Sequence, residues 1–204
     1  TSVNILSITE KDLEKMPVHD LADALSWITG IDIQGRGSFG QPASISIQGS
    51  DPNHVRIMVD GILLNTQGSA FANPALIPIE NIERIEIIKG SSSSVWGSSL
   101  GGIINVITKS PAKNPIPKGN VLFQGSNNPI GYGKESVELT GSIDKFGYLL
   151  WGSHLDSNSD FRNNSDSLNN NLFGKFTYEI GNKADIFLTY HYTRESIGGY
   201  EFDT

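Results

Sequence analysis

Two patterns of hydrophobic and polar residues divide this chain. Up to about residue 110 the pattern is mixed, with short alternating runs that predict strands and one stretch of helical periodicity. After about residue 118 the period becomes two and stays there. Between them, Ser110–Lys118 contains three prolines, which interrupt helices and strands alike. We therefore predict an α+β domain over residues 1–110, a linker over 111–118 and a β domain over 119–204.

The first domain is predicted to contain two helices and several short strands. Thr9 caps the first helix, with Asp12 as its capping-box partner. The second helix covers Val18–Ile28 and stops at Gly30. Asp60-Gly61 between apolar runs predicts a hairpin. The predicted strands are Val3–Ile8, Ile31–Gln34, Ser44–Gln48, His54–Val59, Ile62–Leu64, Ile82–Lys89 and Ile103–Thr108.

The second domain is predicted to hold five strands of membrane-crossing length. They are Asn120–Gly125, Lys134–Ile143, Gly147–Leu155, Asn171–Ile180 and Asp185–Thr193. Their connections alternate between tight turns, at Asp144–Phe146 and Gly181–Ala184, and a long polar segment, Asp156–Asn170. Outer-membrane barrels have short periplasmic turns and long external loops, so Asp156–Asn170 is expected outside. A soluble antiparallel sandwich would explain the alternation of residues but not this rhythm of connections.

Composition and charge narrow the possible functions. The chain has no cysteine, which excludes disulfide scaffolds and thiolate metal sites. Its formal net charge is −7 and it has no basic arm, so nucleic acid is not an expected partner. No apolar run approaches the ~20 residues of a transmembrane helix. No signal peptide precedes Thr1, which we interpret as a processed or engineered start.

Two letter patterns of enzymes occur, but neither has the structural context that its chemistry requires. Gly35–Gly40 fits G-x-G-x-x-G, yet a strand rather than a phosphate-binding helix is predicted to follow it. Gly97–Gly101 fits G-x-S-x-G and leads into a strand instead of a helix. The four histidines show no triad or metal spacing. We therefore expect a protein that is not an enzyme.

The order of segments in the first domain is the most specific feature of the sequence. In order, these segments are Asp20–Ile31, Ser46–Gly49, Met58–Asn65, Ile79–Gly90, Ser92–Gly97 and Gly101–Lys109. This series resembles the plug domain of TonB-dependent outer-membrane receptors. Gln48 departs from the family pattern, which usually has arginine there, and this puts an ion pair between plug and barrel in doubt.

The resemblance implies an α+β plug domain followed by the first five or so strands of a 22-stranded transmembrane β-barrel, as part of a longer receptor. It implies a Gram-negative outer-membrane location and contact with membrane lipid. It also implies uptake of a scarce small molecule, energised by a TonB-type coupling protein. The TonB box, the short segment that such a partner binds, is expected before Thr1.

The substrate expected from the resemblance is cobalamin or another corrinoid. Three features point to the cobalamin-receptor branch: Ser50–Val55, Gly125–Asn127 and the acid-rich external loop. A ferric-siderophore receptor remains an alternative, because siderophore receptors share the plug segments. A surface receptor exploited by bacteriocin or phage without transport is another alternative, and a secreted β-rich enzyme is a third.

Two polar, glycine-containing plug loops, Gln34–Gln41 and Asn65–Asn73, are expected to point outward to the ligand. Their amides and hydroxyls would hydrogen-bond the ligand, and their aromatic rings would provide apolar contact. The alternative is that these are merely solvated loops. The candidate ligand-binding residues are Ser38, Phe39, Gln41, Asn65, Gln67, Ser69 and Phe71.

No cofactor is required by this interpretation, but the external loop is a possible calcium site. Asp156, Asn158, Asp160 and Asp166 offer the hard oxygen ligands that calcium prefers. The loop is not an EF-hand, because Phe161 replaces the required glycine and Ser167 the bidentate glutamate. An ordinary solvated loop is the alternative.

Charges also interleave with isoleucines in Ile82–Ile87. We interpret Glu83, Arg84 and Glu86 as structural residues that hold plug to barrel.

Overall fold

The computed structural model describes residues 5–35, 41–66, 70–90, 99–126, 130–159, 166–181 and 184–198. They fall into two compact units that meet in the sequence between Thr108 and Lys109, with Gln41 grouped in the second unit. Among the described residues, no helix has the length and apolar character needed to cross a membrane.

The first unit is a mixed sheet with two short helices. Its elements are β1 (Ile5–Thr9), α1 (Glu10–Leu13), α2 (Leu21–Ser26), β2 (Ile31–Gly35), β3 (Ala43–Ile47), β4 (Val55–Val59), β5 (Ile62–Leu63), β6 (Ile82–Lys89) and β7 (Gly102–Thr108). Single 3₁₀ turns lie at Pro52–His54, Pro74–Leu76 and Ile79–Asn81. The main sheet has the order β1-β6-β7-β4-β5, in which β4 and β7 pair in parallel, and β2 pairs with β3 separately.

Local sequence signals account for the ends of these elements. Thr9 and Asp12 form the predicted capping box: Thr9 N and Oγ1 both donate to Asp12 Oδ2, at 3.0 and 2.6 Å. Helix α2 is shorter than the predicted Val18–Ile28, because Asp20 caps it by accepting a hydrogen bond from Asp23 N at 2.9 Å. In the β4–β5 hairpin, Asp60 and Gly61 both have positive φ, 48° and 82°, as a type I′ turn requires.

The core of the first unit lies between one face of the main sheet and helix α2. Leu21 and Leu25 of α2 are fully buried, as are the central isoleucines and valine of β6 and β7. Each such side chain contributes about 1.5–3 kcal/mol when it is removed from water. The predicted strands of this unit are confirmed to within two residues at their described ends.

The second unit is one antiparallel sheet whose strands pair in chain order. Its strands are β8 (Lys118–Ser126), β9 (Ile130–Ile143), β10 (Phe146–Ser159), β11 (Ser167–Ile180) and β12 (Ala184–Ile197). The five predicted strands are present, and each is longer than predicted. The two-residue turn between β9 and β10 has Asp144 at φ 51°. Phe146, predicted in that turn, lies in the strand.

The predicted long connection Asp156–Asn170 is wrong in its bounds. The β10–β11 ladder continues through the pairs Asp156–Leu168 and Ser157–Ser167, which leaves only residues 160–166 between the strands. Polar composition suggested a loop, but backbone hydrogen bonds in a ladder do not depend on side-chain polarity. The contrast between short and long connections is therefore smaller than the sequence suggested.

Candidate functional site

The described base of the second predicted ligand loop is held together by Asn65, a residue that is only 8% exposed. Its Oδ1 accepts a hydrogen bond from Ile57 N at 2.9 Å. Its Nδ2 donates to the carbonyl oxygens of Val55 and Ala70, at 2.9 and 2.8 Å. Asn65 thus joins the start of the loop to its far side and to strand β4. The structure places this amide inside the loop base, and its predicted contact with a ligand stays a prediction.

The bases of the two predicted loops are joined by Asn73. Its Oδ1 accepts from Ala43 N, at the start of β3, and from Ala75 N, both at 3.2 Å. The first contact links the strand that follows the first loop to the end of the second loop. Asn73 was not singled out from the sequence, although an asparagine before a proline is a common start for such a turn. The structure therefore brings the described bases of both loops together.

Of the remaining candidate ligand-binding residues, the structure describes two and leaves four outside the described residues. Ser38, Phe39, Gln67 and Ser69 lie outside the described residues. Phe71 is partly exposed, and its carbonyl oxygen accepts from Thr66 N at 2.9 Å. Gln41 is 4% exposed, and its Nε2 donates to the carbonyl oxygen of Asp166 at 3.1 Å. Their roles in ligand binding stay predictions.

The predicted calcium ligands occupy two strands and the connection between them. Asp156 and Asn158 are exposed and alternate along β10, so they share a face of the sheet. Asp166 is exposed just before β11, and Asp160 lies outside the described residues. In the described ranges no group of three acidic or histidine side chains is close enough to hold a metal ion. Calcium binding that includes Asp160 stays a prediction.

The charged residues of β6 contact one another. Arg84 Nη1 lies 2.8 Å from Glu83 Oε1, and Arg84 Nε lies 2.9 Å from Glu86 Oε1. Asn105 Nδ2 donates to the second oxygen of Glu86 at 3.2 Å. The hydrogen bond to Glu86 raises the pKa of the Arg84 guanidinium. These contacts lie within the first unit, and the predicted role in holding plug to barrel stays a prediction.

The enzyme-like pattern at Gly35–Gly40 begins at the end of β2, and the next described element is β3, which pairs with β2. Among the described residues, a strand therefore stands where a dinucleotide site would have a helix. The second pattern ends at Gly101, immediately before β7, so a strand follows it as predicted.

A comparison with protein families matches residues 1–103 to the TonB-dependent Receptor Plug Domain. The chain belongs to this family. The resemblance to a plug domain that was inferred from the sequence is thereby confirmed. Receptors of this family are transporters of the Gram-negative outer membrane and not enzymes, which confirms both the expected location and the expected absence of catalysis.

Solved structures resemble both units of the chain. The siderophore receptor PirA from Acinetobacter baumannii matches with a TM-score of 0.76 and 22% identity, over 94% of this chain and 31% of that one. The ferric enterobactin receptor PfeA from Pseudomonas aeruginosa, solved as a mutant with enterobactin, matches with a TM-score of 0.75 and 20% identity, over 96% and 33%. FpvAI in complex with pyocin S2 matches with a TM-score of 0.80 and 18% identity, over 95% and 26%.

These similarities confirm the predicted architecture, a plug domain followed by the first barrel strands. The chain spans about a third of the length of the receptors it matches. The expected branch is not supported, because the structures named above are siderophore receptors or a pyocin complex rather than cobalamin receptors.

Proposed function

We propose that the intact receptor containing this chain takes up a ferric siderophore across the outer membrane. The observation that carries this proposal is the match of 94% or more of the chain to the folds of PirA and PfeA, which are named as siderophore and ferric enterobactin receptors. This substrate was the alternative in the sequence interpretation and replaces the corrinoid as the main proposal. A TonB-type coupling protein would supply the energy, as the family name implies.

The chain's own loops suggest how the ligand is held. The two described ends of the segment Asn65–Asn73 are held to β4 by Asn65 and to β3 by Asn73, so the base of the loop is fixed before a ligand arrives. Such preorganisation lowers the entropy cost of binding. Phe71, partly exposed on this loop, would supply an apolar contact, while Ser38, Phe39, Gln41, Gln67 and Ser69 would complete the site. Asn65 would act through the shape of the loop.

A binding experiment on the intact receptor in detergent tests the substrate. Ferric enterobactin, two other ferric siderophores and cyanocobalamin would be titrated against the same preparation. We expect tight binding of at least one ferric siderophore and none of cyanocobalamin. Binding of the corrinoid alone would overturn the proposal and restore the cobalamin assignment. Uptake of radioactive iron by cells that depend on this receptor would then separate transport from binding.

A second candidate function is recognition by a bacteriocin at the cell surface. It is favoured by the resemblance to FpvAI, which was solved in complex with pyocin S2. The two functions are compatible, because one receptor can bind a siderophore and a toxin at its external end. Loss of bacteriocin sensitivity in cells that lack the receptor, without loss of iron uptake, would favour this function alone.

A further inference from the structure

The nine residues between β7 and β8, 109–117, belong to the second unit and are bound to its sheet. They include three prolines, so the sequence marks them only as an interruption of regular structure. Their contacts fall on one face of the sheet, called the inner face, which carries the buried side chains of Leu149, Trp151 and Phe173. The segment is therefore more than a spacer between two domains.

Two hydrogen bonds join the segment to β9 through its backbone. The amide of Ala112 donates to Thr140 Oγ1 at 2.8 Å. The carbonyl oxygen of Asn114 accepts from Ser142 N at 2.9 Å. The pairing of β8 with β9 begins at Lys118 and Thr140, so the bond to Ser142 extends the attachment beyond the start of β8. Neither bond depends on a side chain of the segment itself.

A glycine of β10 makes room for the segment. Gly147 lies between Ser142 and Thr177 in the cross-strand register. A Cβ on Gly147 would lie 3.0 Å from Pro111 Cβ and 2.5 Å from Thr177 Oγ1. A side chain at this position would therefore have to displace the proline as well as turn the threonine.

Two ion pairs add to these contacts. Lys109 Nζ lies 3.9 Å from Glu138 Oε2, and Lys113 Nζ lies 2.8 Å from Glu179 Oε1. The Lys113 side chain is 87% exposed, so water screens its pair and the pair contributes little. A cavity of about 480 Å³ is lined by residues 110–113 and the nearby sheet, so the segment touches the sheet at discrete points. The backbone bonds and the contact of Pro111 therefore provide most of the attachment.

The segment also has internal order. Asn114 N donates to Ala112 O at 2.9 Å, and Ile116 N donates to Asn114 Oδ1 at 3.0 Å. Its prolines restrict the conformations of a released segment, so release gains less conformational entropy than it would in a chain without them. Both features favour the bound state.

We propose that residues 109–114 form a clasp that stays closed while the receptor transports its ligand. The closed clasp keeps the chain that leaves β7 at Thr108 at a fixed point on β9. The proposal rests on the proposed uptake function, because it concerns the receptor at work.

The alternative is a tether that is released in each cycle of transport. Nine extended residues reach roughly 30 Å, so a released tether would let Thr108 move by a distance close to the thickness of a bilayer. Release would break both backbone bonds and move Pro111 out of the space beside Gly147. The clasp and the tether therefore predict very different mobility for the same nine residues.

Hydrogen exchange of the intact receptor in detergent tests the clasp at rest. Thr140→Val keeps the shape of the side chain and removes the acceptor of the Ala112 amide, which should then exchange at least about fivefold faster. Gly147→Ala should accelerate the same amide by displacing Pro111. Gly152→Ala is the matched control on β10, since a Cβ there has its nearest neighbour at 3.6 Å and should leave Ala112 unchanged. Heat-modifiable mobility on gels verifies that each variant has a folded barrel.

A reversible disulfide tests the clasp during uptake. The 2.8 Å contact from Ala112 N to Thr140 Oγ1 limits the Cα separation of these residues to roughly 6.7 Å, which a disulfide can span. We expect Ala112→Cys combined with Thr140→Cys to support uptake within about twofold of the wild type, both oxidised and after reduction. Each single cysteine variant, treated with the same oxidant, is the control. The assay uses whichever ligand the wild type takes up, a ferric siderophore or cyanocobalamin.

Two results would overturn the proposal. One is fast exchange of the Ala112 amide in the wild type that Thr140→Val does not change, because that describes a free tether. The other is uptake that is lost on oxidation of the double variant alone and restored by reduction, because that requires the clasp to open. If the wild type takes up neither kind of ligand, the proposed function fails, and the exchange result decides whether the segment is a clasp.

Discussion

Replacing Asn65 by alanine separates a structural role from direct ligand contact. The change removes three hydrogen bonds to the backbone and leaves the N–H of Ile57 without its partner at a site that is 8% exposed. An unsatisfied buried donor costs about 1–3 kcal/mol, and the two lost bonds to carbonyl groups add to that. We expect the loop base to lose roughly 2–4 kcal/mol of local stability.

Hydrogen exchange of the intact receptor measures this loss at the amide that is affected. The Ile57 amide should exchange about 30- to 1000-fold faster in Asn65→Ala, if exchange proceeds by local opening. Thr66→Ala is the neighbouring control: the exposed Thr66 hydroxyl donates to Phe71 O at 3.3 Å, and we expect its removal to change exchange at Ile57 little. Unchanged protection of Ile57 together with weakened ligand binding would refute this reasoning and make Asn65 a direct ligand contact.

Four further changes test other parts of the chain. Gly102→Ala should destabilise the first unit by about 3 kcal/mol or more, because the φ of Gly102 is +145° and an added Cβ would lie 2.5 Å from Ile88 O. Gly35→Ala is the control: an added Cβ there has open space, so the loss of stability should be less than about 1 kcal/mol. The denaturation midpoints of the two variants measure the difference. Hydrogen bonds from Thr9 lower the pKa of Asp12. The ionised Asp12 therefore stabilises α1 at neutral pH, and this stabilisation is lost as the pH falls through the lowered pKa. Amide exchange in α1, followed from about pH 6 to about pH 3, should show the loss, and Asp12→Asn should remove the pH dependence. Phe71→Ala should weaken siderophore binding at least about fivefold in the intact receptor, and unchanged affinity would remove this residue from the site. Calorimetric titration of the intact receptor with calcium should release or absorb heat if the acidic external loop binds the ion, and a flat titration would count against that site.

The local elements of the first unit follow from short-range signals in the sequence. Asp60-Gly61 predicts its hairpin because both residues tolerate positive φ, and Thr9 with Asp12 predicts a helix start because the pair satisfies free amide groups. The parallel pairing of β4 with β7 carries no such signal. It joins strands separated by more than 40 residues, and only burial of both in one core brings them together.

In the second unit, the period of two determined which residues share a face and therefore which face carries the exposed apolar side chains. The sequence alone did not determine where each strand ends, because a ladder continues through Asp156 and Ser157 as readily as through apolar residues. The sequence alone also did not determine the register, because register is the alignment of residues between two paired strands and is not a property of one strand. The joining of the two loop bases by Asn73 likewise depends on a contact between residues 30 positions apart, so the tertiary structure alone decided it.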